Sequence, residues 1–263
     1  MTLALNRHSA HGAMAVTELC DGIFAHILGW QDAIEAYVEA QGGDVNRDGI
    51  DTVVADLVLP LLGEESGTVV GAGFVAHPTF VSAAPWHLAW WLGDRNTFSL
   101  NGTRSGARRL QAIEDETADG FRDYTTLEWW RRPVQDGRPH ITGPYVDYLC
   151  TDEYTLTLTT PVSYRGSVIG VVGADVYVRD IERILLPRLQ SPHVAVSVVN
   201  EAGRVLVSTD ARLATGSLMR LRGLPSVGSP LAPGAPRHLD GGYEVISCGT
   251  TGLSLVIAHT TQA

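Results

Sequence analysis

Tyr154-Thr-Leu-Thr-Leu-Thr-Thr-Pro161-Val162 is followed by the step Arg165-Gly166 and then by Ser167-Val-Ile-Gly170-Val-Val-Gly-Ala-Asp175-Val-Tyr-Val178. Both runs are rich in Val, Ile, Thr and Tyr, the residues that suit a pleated, half-buried surface. A Gly-containing step between two such runs marks a hairpin. Two earlier runs, Thr68 to Ala76 and Trp86 to Leu92, have the same character and are bounded by Gly, Pro, Asn or Asp. Together the four predict a mostly antiparallel sheet.

Upstream the period changes. From Thr17 to Ala40, Leu19, Ile23, Ile27, Trp30, Ile34 and Tyr37 recur every three or four positions, and Phe24, Leu28 and Val38 widen the stripe. That spacing predicts an amphipathic helix, stopped at Gly42-Gly43. Residues 1 to about 15 read as a loose tail. A second helix is expected from Asp51 to Leu62, limited by Pro60. Downstream, Asp180 to Leu189 reads as a short helix ended by Ser191-Pro192. Further strands are expected at Val194 to Val199, Arg204 to Ser208, Tyr243 to Ser247 and Leu253 to His259, with a turn at Asn200 to Gly203. Residues 216 to 242, rich in Gly, Pro and Ser, read as a long loop. The fold class expected is α+β: a long N-terminal helix followed by two modules with antiparallel sheets. The divisions are 1–62 for the tail and helices, 63–187 for the first module and 188–263 for a smaller second one.

Composition narrows the function. The 263 residues carry a formal net charge of -10, which argues against nucleic acid and anionic membrane surfaces, because phosphate contacts need clustered Lys and Arg. Cys20, Cys150 and Cys248 are far apart, with no Cys-x-x-Cys spacing, so free thiols in a reducing compartment are expected. There is neither a basic segment running into an apolar one at the start nor the roughly 18 apolar residues of a membrane span. A cytoplasmic, soluble protein is the expectation.

Between the strand runs lies Tyr124-Thr-Thr-Leu127-Glu128-Trp129-Trp130-Arg-Arg-Pro133, then Thr142-Gly-Pro-Tyr145-Val-Asp147-Tyr148. Aromatic rings and isolated carboxylates alternate here, the chemistry that holds a small cation. No nucleophile stands beside a base. Asp175, an ionisable residue inside the apolar run Val168 to Val178, is costly to bury unless paired. Tyr145 and Asp147 share a face if extended. Trp129 and Trp130 face opposite ways in a strand, but Pro133 argues for a helical turn in which both lie near one pocket. Each residue also has a plain structural reading: core packing for the Trp pair and a turn cap for Asp147.

The order of these features resembles the double Cache sensor domain, a PAS-like ligand-binding module of bacterial receptors, over roughly residues 17 to 260. The resemblance implies a ligand held by the first module, with the second as a spacer. In the branch that binds free amino acids, the corresponding site residues here are Tyr124, Trp129, Trp130, Tyr145, Asp147 and Asp175. The two carboxylates would hold the ligand's ammonium. The arginine that holds the ligand's carboxylate in that branch is Leu127 here, followed by Glu128, so the bidentate guanidinium is missing. An amine is therefore the expected ligand. An amino acid is the alternative if Arg131 or Arg132 swings in, and another small metabolite stays open.

The remaining signals are weaker. Asp44-Val-Asn46-Arg-Asp48-Gly49-Ile-Asp51 looks like half of an EF-hand loop, but Ala55 stands where the bidentate Glu belongs; a turn with Asp51 capping the next helix is the simpler reading. His77, His87 and His140 lack metal-ligand spacing. Gly71-Ala-Gly73-Phe reads as close strand packing. No cofactor, metal or catalytic residue is expected. The sequence-level expectation is a sensor that is not an enzyme. It would signal through a transcription regulator or kinase, or through a homodimer formed on the Thr17 to Ala40 helix, whose exposed side would carry Trp30. An enzyme using Asp147, Asp175 or Glu128 as acid and base, and a scaffold with a degenerate pocket, are the competing readings.

Overall fold

A computed structural model of the chain describes residues 2–97, 106–146, 153–192, 194–224 and 236–259. Asp147 and Cys150 lie outside them, as does part of the expected 216–242 loop.

Helix α1 spans Thr2–Ala40 and α2 spans Arg47–Leu62. The tail expected over residues 1–15 is thus helical from Thr2. Ala13, Ala15 and Val16 are buried and extend the inward stripe backward, which gives the first turns something to pack on. Left-handed Gly42 and Gly43 end α1. Asn46, not Asp51, caps α2: its side chain accepts from the Gly49 N–H at 2.9 Å. Asp51 sits a turn inside and pairs elsewhere.

The first sheet has six antiparallel strands: β1 (Val69–Ala76), β2 (Leu88–Leu92), β3 (Arg108–Arg109), β4 (His140–Val146), β5 (Tyr154–Tyr164) and β6 (Ser167–Tyr177). Their spatial order is β3-β2-β1-β6-β5-β4. Arg165 and Gly166, both at positive φ, make the two-residue β5–β6 turn, as the sequence predicts. Helix α3 (Glu128–Asp136) precedes β4, and α4 (Val178–Leu189) leads out of β6. The second sheet holds β7 (Val194–Val199), β8 (Val205–Ser208), β9 (Arg237–Leu239), β10 (Tyr243–Ser247) and β11 (Ser254–His259), in the order β8-β7-β11-β10-β9.

Strand alternation sorts the first sheet into two faces. Val172, Ala174 and Val176 of β6 join Phe74 and Leu158 in a core with Ile27, Ile34 and Val38 of α1 and Val54 and Val58 of α2. The opposite face carries Val75, Trp90, Leu92 and Val171, covered by Tyr124, Trp129 and Trp130. Trp30 faces the core at 5% exposure, so it cannot serve an outward dimer surface; packing against the sheet claims it instead. Among the described residues, the large apolar side chains that α1 does expose are Met14 and Leu28. Among the described residues no helix is long and apolar enough to cross a membrane.

Gly73 pairs with Gly173 at the centre of the sheet. A Cβ on Gly73 would stand 2.2 Å from the Ala89 carbonyl, so the Gly-Ala-Gly run serves close strand approach, as expected from sequence. Cys20 and Cys248 are buried free thiols whose pKa burial pushes up to about 12.

Candidate functional site

Asp175 stands on the face of β6 turned away from α1 and is 1% exposed. Its cross-strand neighbours are Thr157 on β5 and Gly71 on β1. The Thr157 hydroxyl donates to Asp175 Oδ1 at 2.6 Å, and the Tyr145 hydroxyl lies 2.8 Å from the same Thr157 oxygen. A chain of hydroxyls therefore runs from β4 across β5 to the carboxylate. Thr155 and Thr159 line the same face of β5, and Thr159 donates to the Trp129 carbonyl at 2.8 Å, pinning α3 to the sheet.

Gly71 explains the other flank. A Cβ there would fall 3.0 Å from Trp90 Nε1 and 3.2 Å from Asp175 Oδ2. The missing side chain lets the indole and the carboxylate approach one another. Trp90 is 5% exposed, and its Nε1–H has no hydrogen-bond partner among the described residues. A buried, unpartnered donor costs roughly 1–3 kcal/mol, so the position calls for an acceptor.

Tyr124 anchors the aromatic cover. Its ring centroid lies 5.2 Å from Trp86, 5.1 Å from Trp130 and 6.2 Å from Trp129. Its hydroxyl donates to the Ala76 carbonyl at 2.6 Å, and burial raises its pKa. Because residues 128–136 form a helix, both tryptophans are buried in one cluster, as Pro133 suggested. Leu127 packs partly buried against these rings.

The structure thus brings Tyr124, Trp129, Trp130 and Tyr145 into one cluster, and the hydroxyl chain from Tyr145 ties it to Asp175. It sets Glu128 apart. That side chain is half exposed, Glu128 Oε1 lies 2.9 Å from His140 Nε2, and this bond holds its pKa down. Asp147 lies outside the described residues. Arg132 meets Asp136 at 3.2 Å and Glu201 at 3.9 Å, which binds it away from the Asp175 face. Sequence reasoning missed Trp90, Thr157, Gly71 and Trp86. The alternation of Leu88, Trp90 and Leu92 carried a signal for Trp90; the others depend on strand register.

A separate polar knot holds the segment after β3. His87, fully buried, has Nε2 2.8 Å from Asp51 Oδ1 and Nδ1 3.3 Å from Glu114 Oε1. Arg109 meets Asp51 at 2.9 Å, and Arg47 pairs with Glu114. Trp86 Nε1 donates to Glu116 of the same segment. His77 and His140 take no part. Among the described residues no group of His, Cys, Asp and Glu is arranged to hold a metal.

Residues 65–183 match the family model described as the first PDC sensor domain of methyl-accepting chemotaxis protein-like proteins. Over 167 residues, 61% of this chain, the sequence is 26% identical to the methyl-accepting chemotaxis protein TlpQ of Pseudomonas aeruginosa. The match spans 22% of that relative's length. Among solved structures, methyl-accepting chemotaxis protein X superposes with a TM-score of 0.63 at 18% identity, covering 97% of this chain and 94% of that one. The ligand-binding domain of the P. aeruginosa amino acid chemoreceptor PctB, in complex with L-Arg, gives 0.59 at 15% identity, covering 98% and 94%. The fold is that of these sensor domains, the α+β architecture implied by the resemblance in sequence.

Proposed function

We propose that the chain senses a small cationic metabolite, an amine, held on the Asp175 face of the first sheet, and passes the signal to a separate partner without chemical turnover. The observation that carries this reading is a carboxylate sunk to 1% exposure on a sheet face covered by aromatic rings. A cation over such rings gains roughly 0.5–2 kcal/mol, and hydrogen bonds between charged groups add about 1.5–3 kcal/mol. Tyr145 and Thr157 position the carboxylate, and Asp147 is proposed as its companion. Leu127 supports an amine over an amino acid, since no guanidinium fork stands there for a ligand carboxylate. The likeness to chemoreceptor sensor domains supports signalling over catalysis.

A second reading, an amino acid, is favoured by the unpartnered Trp90 Nε1–H, which offers a donor to a ligand carboxylate, and by the L-Arg bound to the PctB domain. A thermal-shift panel of primary amines and their parent α-amino acids separates the two. At 100 times its dissociation constant a ligand adds about 2.7 kcal/mol of stability. The expected result is a rise with amines that is lost in Asp175→Asn. A rise confined to amino acids and lost in Trp90→Phe selects the second reading. No rise with any cationic compound, from protein freed of carried-over ligand, overturns both.

A further inference from the structure

A cavity of about 300 Å³ lies between the two sheets, walled by α3 and β4 on one side and by the β7–β8 turn on the other. It adjoins the Asp175 face and shares Tyr145 with it, and its Thr142 pairs across the sheet with Thr157, but neither Asp175 nor Trp129 nor Trp130 lines it. Three guanidinium-bearing residues do, Arg131, Arg132 and Arg204. Arg132 is engaged by Asp136 and Glu201. Arg131 and Arg204 form no ion pair with a carboxylate among the described residues; Arg204 spends one N–H on the Gly216 carbonyl at 3.1 Å. The Glu128 carboxylate at the rim is held by His140, and Arg132 and Arg131 add to the lowering of its pKa. On the wall between them sits Thr142, 6% exposed, whose hydroxyl has no hydrogen-bond partner among the described residues. Thr142 lines the cavity, and buried hydroxyls are normally satisfied, so this one is left for a polar ligand to engage.

We propose that this cavity is a second binding site, for a small organic anion bearing carboxylates, which bridges the two sheets. Arg131 comes from α3 beside the first sheet and Arg204 from the turn leading into β8. A carboxylate spanning them is held by guanidinium forks, with Thr142 donating its hydroxyl from the floor. The volume stands at the lower end of the range for small-molecule sites, which suits a metabolite of a few carbons. Asn200 already joins the walls, its Nδ2 donating to the Gly143 carbonyl at 2.7 Å, so the site closes around a preformed contact. An anion here would tighten the joint between sheets.

Titration calorimetry with succinate and, separately, inorganic phosphate tests this on the full chain. Succinate is expected to bind at one site, with an affinity at least about tenfold weaker in Arg131→Gln and in Arg204→Gln. Arg131 is solvent-exposed, so its replacement leaves folding intact, checked by circular dichroism. Asp175→Asn is expected to abolish the amine response and leave succinate binding unchanged, which separates failure of this site from failure of the amine site. No binding of either anion, affinity indifferent to both arginine variants, or phosphate bound in preference to succinate overturns the proposal.

Discussion

Asp175 was visible in the sequence because an ionisable residue in an apolar strand needs a reason to be there. Its immediate partners were not. Counting back from the Arg165-Gly166 turn, the pairs Tyr164↔Ser167 and Ser163↔Val168 would bring Leu156 opposite Asp175. A bulge between Val162 and Ser163 shifts the register by one, and Thr157 arrives instead. A one-residue slip thus turns an apolar neighbour into the hydroxyl that holds the carboxylate, and no local propensity announces it. Gly71 gives a sharp test at the same scale. Gly71→Ala places a methyl between Trp90 Nε1 and Asp175 Oδ2 and is expected to abolish the ligand-induced thermal shift while the protein remains folded, read by melting with and without amine. Gly73→Ala meets backbone at 2.2 Å, and overpacking of this kind is expected to lower stability by about 1–3 kcal/mol or more, measured by urea unfolding. Glu128 gives a pH signature. Its folded pKa is lowered chiefly by the His140 hydrogen bond, so its contribution is present above the unfolded carboxylate pKa and is lost as pH falls through the folded one. Glu128→Gln is expected to flatten the acid limb of the stability curve only slightly, because the side chain is half exposed.

The helices and long strands were legible as elements because their periods are strong. The 3.6-residue stripe of α1 and the β-branched runs of β1, β5 and β6 agree with the faces they bury. The N-terminal extent of α1 was not legible. His8-Ser-Ala-His-Gly12 is poor in large apolar residues, and a helix there depends on what it packs against. Gly12 shows how: a Cβ at that position would lie 3.0 Å from Leu189 of α4 and 3.3 Å from Leu255 of β11. Trp30 was misread for a related reason, since a wide stripe does not say which of its edges meets the sheet. Beneath it, Ile34 is fully buried where α1 crosses the first sheet. Ile34→Ala is expected to cost about 2–5 kcal/mol, seen as a fall in Tm of several degrees. The segment after β3 holds through long-range charge pairing, which no window of sequence reveals. His87→Leu removes the imidazole between Asp51 and Glu114, and the expected outcome is faster tryptic cleavage in the 106–123 segment with the rest of the chain protected.

At the scale of the molecule, two sheets share a long support in α1, with α4 a shorter second bridge between them. Helix α1 contacts β5 and β6 of the first sheet and β10 and β11 of the second. Its 39 residues make a rod about 58 Å long at roughly 1.5 Å per residue. In mechanical terms this is a rail with two carriages. Neither sheet can shift against the other without sliding along the rod, turning about it or bending it. Side chains interlocked in the grooves of a helix resist small slips and favour discrete ones. On the proposed sensing role, closure at the Asp175 face would reach this helix as a displacement or rotation. On that role, this rail is where a contact of a few ångströms at one end of the chain would become a stepwise movement at the other.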